Sequence, residues 1–149
     1  MSDPARPRGG EYLRTIADKR ESLAAINEER EEKIAARNAR IVSLYRSGVP
    51  AARIAEAASM TASYVRKLAS DAGVEREPDR PVTDADEVNL EWLRRLLHTI
   101  GVIDNRIAVV HEARNSAILA AAAEGVPHQV LAKTAGVGRS RVSRLINES

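Results

Sequence analysis

Residues 36–71 read ARNARIVSLYRSGVPAARIAEAASMTASYVRKLASD, and residues 113–148 read ARNSAILAAAAEGVPHQVLAKTAGVGRSRVSRLINE. We call these stretches the first repeat and the second repeat. They align without a gap at an offset of 77 residues and are identical at 12 of 36 positions. A similarity at a fixed offset indicates one structural unit that is used twice.

Each repeat carries the signals of two short helices joined by a tight turn. In the first repeat Gly48 ends a preceding helix, and Pro50 starts the next one, where its missing N–H costs nothing. Ala55 is small enough for a second helix to cross closely, Ser59 lies in the turn, and Thr61 is a good N-cap. The second repeat has Gly125, Pro127, Ala132, Gly136 and Gly138 at the same places. Both repeats are therefore predicted to form helix-turn-helix units.

The last short helix of each repeat has an apolar side and a polar, cationic side. Val65 with Leu68, and Val142 with Leu145, recur at helical spacing and are predicted to face inward. On the other side arginine suits guanine or phosphate, lysine suits phosphate, and serine near the helix start suits either kind of contact. Tyr64 fits a contact to the DNA backbone or a half-buried packing position. The predicted DNA-binding residues are Ser63, Tyr64, Arg66 and Lys67 in the first repeat, and Arg139, Ser140, Arg141, Ser143 and Arg144 in the second.

Positive charge is concentrated in the repeats, although the whole chain has a net charge of only +2. Residues 36–70 carry six cations and one acid, and residues 113–149 carry five cations and two acids. The connecting residues 71–88 carry two cations and seven acids. Clustered positive charge is expected of a phosphate-binding surface. A solvated surface, or a helical hairpin used only for packing, is the alternative interpretation.

Each repeat is preceded by a long segment that is typical of a helix with a heptad-like apolar stripe. No glycine or proline interrupts residues 11–47, and polar residues such as Arg30, Asp104, His111 and Arg114 fall on the stripes. A helix of this length cannot bury its stripe alone and needs a partner helix. The stripes consist of Leu13, Ile16, Leu23, Ile34, Ile41 and Leu44, and of Leu90, Leu93, Leu97, Ile100, Ile107 and Ile118.

The connector limits how the long helices can pair. Residues 73–86 are too few to lead back along the whole first helix, so an antiparallel, coiled-coil-like hairpin is favoured within one chain. Parallel pairing stays possible between two chains. The predicted organisation is a disordered tail (1–10), a long helix with the first helix-turn-helix (11–72), a linker (73–86), and a long helix with the second helix-turn-helix (87–149).

The composition predicts an all-α protein and excludes several classes. Cysteine is absent, which excludes disulfides and thiolate metal sites, and aromatic residues make up only 3% of the chain. Runs of alternating β-branched residues are missing, so no sheet is expected. We find no signal peptide and no apolar run long enough for a membrane span, and we expect a cytoplasmic, nucleoid-associated protein.

The residues after the turn in the second repeat carry a family resemblance. The stretch that resembles the C-terminal DNA-binding segment of serine recombinases, the resolvases and invertases, is Ala132-Lys133-Thr134-Ala135-Gly136-Val137 followed by Arg139-Ser140-Arg141-Val142-Ser143-Arg144-Leu145-Ile146-Asn147-Glu148-Ser149. Thr61-Ala62-Ser63-Tyr64-Val65-Arg66-Lys67-Leu68 in the first repeat is similar. About 30 residues per repeat take part, and similar units occur in transposases, sigma-like proteins and phage repressors. The recombinase catalytic domain is missing, so the resemblance implies DNA binding and not strand exchange.

No arrangement of residues in the sequence indicates catalysis. The three histidines lack metal-ligand spacing, and there is no glycine-rich phosphate loop or Ser-His-Asp set. We expect no enzyme, no cofactor, no metal and no small-molecule substrate. The sequence favours a bacterial or phage double-stranded DNA-binding protein, a transcriptional repressor or nucleoprotein-organising factor, that forms homodimers through its long helices. The alternatives are a helical oligomerisation or adaptor protein, and a non-catalytic accessory factor for recombination or transposition.

Overall fold

A computed structural model describes residues 9–149, and within them all secondary structure is helical. The helices are α1 (Gly9–Arg46), α2 (Ala51–Ala58), α3 (Ala62–Asp71), α4 (Asp84–Ala123), α5 (His128–Ala135) and α6 (Arg139–Glu148). The predicted all-α class is confirmed. None of the helices in this range is long and apolar enough to cross a lipid bilayer.

The start of α1 differs from the sequence prediction. Most of the predicted disordered tail (1–10) lies outside the described residues, and α1 begins at Gly9, two residues before the predicted start of the long helix. The helix α4 likewise begins at Asp84, three residues before the predicted start.

The long helices end at the glycines that the sequence predicted. Beyond α1 the Val49 N–H donates to the Leu44 carbonyl (3.1 Å) and the Gly48 N–H to the Tyr45 carbonyl (3.1 Å). These two hydrogen bonds satisfy carbonyls that would otherwise be free at the end of the helix. They require a left-handed backbone at the residue that ends the helix. Gly48 supplies it with φ +98°, and a Cβ there would lie 2.5 Å from the Pro78 carbonyl oxygen. The end of α4 repeats the pattern at Gly125, where the Val126 N–H reaches the Ala121 carbonyl (3.1 Å).

The chain forms two compact units, and each contains one helix-turn-helix. Unit 2 comprises residues 29–104, and the described part of unit 1 comprises residues 9–28 and 105–149. These units are composed differently from the predicted segments 11–72 and 87–149, because each long helix contributes to both of them. The apolar stripe of each long helix is too long for one small helix-turn-helix to cover, and it is buried partly in unit 1 and partly in unit 2.

Unit 2 has an aliphatic core beneath the first helix-turn-helix. The fully buried Ile54 of α2 and Val65 of α3 pack with the C-terminal part of α1 and with the N-terminal part of α4. Alanines at the crossing of α2 and α3 allow the close approach that the sequence predicted. The core consists of Ile41, Leu44, Val49, Ala51, Ile54, Ala55, Ala57, Ala58, Val65, Leu90 and Leu93.

Within unit 2 the segments of α1 and α4 run in opposite directions. The Arg30 Nε atom lies 2.5 Å from Asp104 Oδ1, and Arg40 donates to Asn89, so the α4 residue number falls as the α1 number rises. The Arg40 guanidinium also lies over the Trp92 ring, 4.4 Å from its centroid. Polar residues that interrupt the predicted apolar stripes are therefore partnered here. A coiled-coil-like hairpin along the full helix length stays a prediction.

The connector between α3 and α4 is fastened to unit 2. The Arg80 N–H donates to the Gly48 carbonyl (3.0 Å) and its Nε atom to the Ser47 carbonyl (2.7 Å), while the Glu77 N–H reaches the Arg46 carbonyl (2.9 Å). These bonds satisfy carbonyls at the end of α1, where a helix accumulates partial negative charge. The segment predicted as a linker (73–86) therefore has a structural role.

Unit 1 has a smaller core beneath the second helix-turn-helix. Leu131 of α5 and Val142 of α6 are buried with Ile16 of α1 and Ile118 of α4. Tyr12, Leu13, Val126, Leu145 and Ile146 are partly buried and pack against this cluster. The core residues differ from those of the first repeat in both directions, since Ala121 stands for Leu44 whereas Ile146 stands for Ala69.

Candidate nucleic-acid interface

In the first repeat, α3 follows the turn after α2 and is fixed by one buried side. The predicted N-cap is confirmed, since the Thr61 hydroxyl accepts a hydrogen bond from the Tyr64 N–H (3.1 Å). Val65 and Ala69 are buried, and Leu68 is partly buried against the core. The opposite side of α3 is therefore turned outward. Ser63, Tyr64, Arg66 and Lys67 are all exposed, with Tyr64 at 42%.

In the second repeat, α6 has the same arrangement with a richer cationic surface. Val142 is buried, and Leu145 and Ile146 pack against the core, as the sequence predicted. A shallow concave surface follows the outer side of the helix, where Asn147 adds an amide that can pair with adenine. Of the predicted residues, Arg139, Ser140, Arg141 and Arg144 are exposed, and Ser143 is half-buried.

Ser143 is positioned by a residue that the sequence did not single out. The Ser143 hydroxyl lies 3.2 Å from Nδ1 of His128, the first residue of α5. This contact joins the two helices of the helix-turn-helix on their exposed side. The sequence signal was weak, because His128 and Ser143 are 15 residues apart and neither type is diagnostic alone. Asn147 follows Ser143 by four residues, so helical spacing would have found it.

The cations on these two helices have no acidic partners. Within residues 9–149 no carboxylate lies within ion-pair distance of Arg66, Lys67, Arg139 or Arg144. Other arginines of the first repeat and connector are engaged differently, since Arg53 lies 2.5 Å from Glu87 and Arg80 lies 2.5 Å from Asp86. The acids of the connector thus neutralise cations outside α3. On the solvent-facing sides of α3 and α6 cations therefore outnumber acids, with Glu148 the one carboxylate among the described residues that lines the α6 surface.

The exposed sides of α3 and α6 can bind a polyanion through their positive charge and recognise its chemical groups through hydrogen bonds. A helix with an exposed row of arginine, lysine, serine and asparagine offers forked donors, point charges and amide pairs. Such a row lies on one surface of unit 1, which Glu148 also lines, and it consists of Arg139, Ser140, Ser143, Arg144 and Asn147. Arg66 and Lys67 with Ser63 provide a smaller one in unit 2.

Comparison of this chain with protein-family models, with curated proteins and with solved structures finds no match. The resemblance to the DNA-binding segment of serine recombinases therefore stays a prediction from the sequence.

Proposed function

We propose that this chain is a non-enzymatic double-stranded DNA-binding protein in which α3 and α6 are the recognition helices. Each one follows a short helix and a tight turn, which is the geometry that inserts a second helix into the major groove. The observation that carries the proposal is that α6 has one buried apolar side and one exposed cationic side. Val142 is 1% exposed on one side, while Arg139 and Arg144 on the other side are exposed and lack acidic partners.

Roles for the exposed residues follow from their chemistry. Arg66 and Arg139 are suited to bidentate pairing with guanine, and Lys67 and Arg144 to phosphate. Ser63 and Ser140, near the helix starts, are suited to phosphate contacts that the helix N-terminus strengthens. Because only the serine is common to both recognition surfaces, the two helices are expected to prefer different sequences. Such a protein would act at the nucleoid as a repressor or organising factor.

The test is a titration of mixed-sequence duplex DNA at several salt concentrations. Replacing Arg139 and Arg144 together by alanine should weaken binding about 10- to 100-fold and flatten the salt slope by about 1 to 2, since each phosphate contact contributes about 0.9. Arg14 and Arg95, exposed on the long helices, give a control double variant with the same change in net charge. Absence of binding at low salt, or equal losses in both variants, would refute the proposal.

A helical adaptor protein is the second candidate function. It is favoured by large apolar side chains that are exposed on the long helix α4, Val88 at 71% in unit 2 and Val109 at 66% in unit 1. A homodimer would cover such residues. This function predicts self-association or partner binding that survives the Arg139 and Arg144 substitutions, measured by analytical ultracentrifugation. A role as an accessory to recombination would instead give two separated protected half-sites in a footprint.

A further inference from the structure

Unit 1 contains a pocket of about 550 Å³ between α4 and the flank of α6. It differs from the outer surface of α6 that the proposed DNA contact uses, although Arg144 and Glu148 border both. Three guanidinium groups line it, from Arg114, Arg141 and Arg144, against the single carboxylate of Glu148. Ile118 and Leu145 add apolar surface. The volume lies within the range of small-molecule sites.

Arg114 is the unusual member of this group because it is a buried cation. The residue is only 6% exposed, and its Nη2 atom donates to the Asn115 side chain at 3.3 Å. Its Nε atom is buried and has no hydrogen-bond partner. A buried charge that lacks an ionic partner and leaves a donor unsatisfied is costly, and native proteins retain one chiefly where something compensates it.

The surroundings add positive charge instead of compensating it. Burial lowers the pKa of Arg114, and the nearby charge of Arg141 lowers it further. The pKa of His111 is also lowered, first by burial and then by the charges of Arg114 and Arg141. The guanidinium groups of Arg114 and Arg141 thus repel each other in the pocket, and their charges also disfavour protonation of His111 nearby. A negatively charged ligand would offset this repulsion between positive charges.

The first repeat shows that the arrangement is not a requirement of the fold. Arg37 occupies the position of Arg114, but it is only partly buried and its Nε atom donates to Asn38 at 3.1 Å. Tyr64 stands where the second repeat has Arg141. The same scaffold is therefore built in unit 2 with a satisfied arginine and without the second guanidinium. The cationic pocket is particular to the second repeat.

We propose that this pocket binds a small organic phosphate. The phosphate oxygens of the ligand would accept hydrogen bonds from the guanidinium groups of Arg114, Arg141 and Arg144, whose forked donors match phosphate geometry. Its apolar part would contact Ile118 and Leu145. On the proposed DNA-binding function, an occupant that engages Arg144 withdraws that side chain from DNA, so the ligand would weaken DNA binding.

The first experiment measures binding of inorganic phosphate to the full chain without DNA. Thermal unfolding is followed as phosphate replaces chloride at constant ionic strength, because a ligand of the folded state raises the midpoint with concentration. Wild type and the matched control Arg37→Met should be stabilised by phosphate. Arg114→Met should lose at least about tenfold in phosphate affinity, since charged hydrogen bonds of this kind are lost.

A second measurement tests phosphate binding without the Arg114→Met substitution, which alters a buried residue. The chain has three histidines, so NMR can follow each imidazole separately. Phosphate should raise the pKa of His111 in wild type by offsetting the charges of Arg114 and Arg141. The exposed Arg141→Gln variant should reduce the phosphate-dependent shift.

Three results would overturn the proposal. They are an equal effect of phosphate and chloride on the unfolding midpoint, full phosphate stabilisation of Arg114→Met, and a rise in the pKa of His111 that duplex DNA causes and phosphate does not. The last result would mean that the DNA backbone, and not a small phosphate, occupies the pocket. Failure of the DNA titration alone would leave the phosphate result intact, so the two proposals fail separately.

Discussion

Ser59 and Gly136 occupy the same turn position in the two repeats, and both have a left-handed backbone. Their φ angles are +52° and +72°. The conformation costs a residue with a Cβ atom roughly 1 kcal/mol, whereas glycine adopts it freely. At Gly136 a Cβ would also lie 2.7 Å from the Arg20 Nε atom. The same turn is therefore built at a conformational cost in the first repeat and without it in the second.

Exchanging the two residues should change stability in opposite directions. Ser59→Gly should raise the free energy of unfolding by up to about 1 kcal/mol, because strain at an exposed position is relieved. Gly136→Ser should lower it by at least about 1 kcal/mol, because the strain is introduced and Arg20, which donates to the Lys133 carbonyl at 3.2 Å, must shift. Urea unfolding of both variants measures this. Destabilisation by Ser59→Gly would contradict the assignment of strain.

At the scale of the element, the start of α4 depends on a carboxylate that is shared between a cap and an ion pair. Asp86 Oδ2 accepts from the Thr83 N–H (2.9 Å) and from Arg80 Nη1 (2.5 Å), and the Thr83 hydroxyl accepts from the Asp86 N–H (3.2 Å). These reciprocal bonds are a capping box. The Arg80 hydrogen bonds, more than any other contact, hold the pKa of Asp86 far below its usual value.

Asp86→Asn should therefore destabilise the protein at neutral pH. The expected loss is about 2 kcal/mol, below that of a fully buried pair because Arg80 is partly exposed. Since the folded-state pKa is depressed, this stability is present above the unfolded pKa of about 4 and is lost as pH falls below it. Urea unfolding at pH 7 and acid titrations of both proteins test this.

The matched control is Asp79→Asn in the same connector. Asp79 pairs with Arg76, but its side chain is 67% exposed, so the change should cost less than about 1 kcal/mol. Equal losses in the two variants, or an unchanged acid response in Asp86→Asn, would show that the shared carboxylate is not what stabilises the start of α4.

Local chemistry explains which elements the sequence could predict. Gly48 and Gly125 as helix ends, Thr61 as an N-cap, and the inward Val65 and Val142 each follow from one residue type at one position. For the connector the sequence predicts only a linker. The bonds from Arg80 to the end of α1 join residues that are 33 apart, and local spacing does not indicate such contacts. Similarly, nothing in the spacing of Arg114 shows that it is buried, since that depends on how α6 packs against α4.

At the scale of the whole molecule, the distribution of charge separates structural cations from available ones. The net charge of +2 hides this separation. In unit 2, Arg76 pairs with Asp79 of the connector, and Arg80 and Arg53 pair with Asp86 and Glu87 in the first turn of α4. The cations of α3 and α6 face solvent without carboxylate partners among the described residues. Charge that is already paired contributes little to DNA affinity, because binding depends on the counterions that free cations release. Two separate cationic surfaces remain on one chain.

If both surfaces contact one duplex at the same time, their contributions to the salt dependence should add. Replacing Arg66 and Lys67 by alanine should reduce the slope of log affinity against log salt by about 1 to 2, as should replacing Arg139 and Arg144. The quadruple variant should then lose the sum of both reductions, measured on a duplex of several helical turns. On a duplex too short for two half-sites, only the pair in the bound recognition helix should matter. A first-repeat variant with an unchanged slope on the long duplex would mean that the second repeat binds alone.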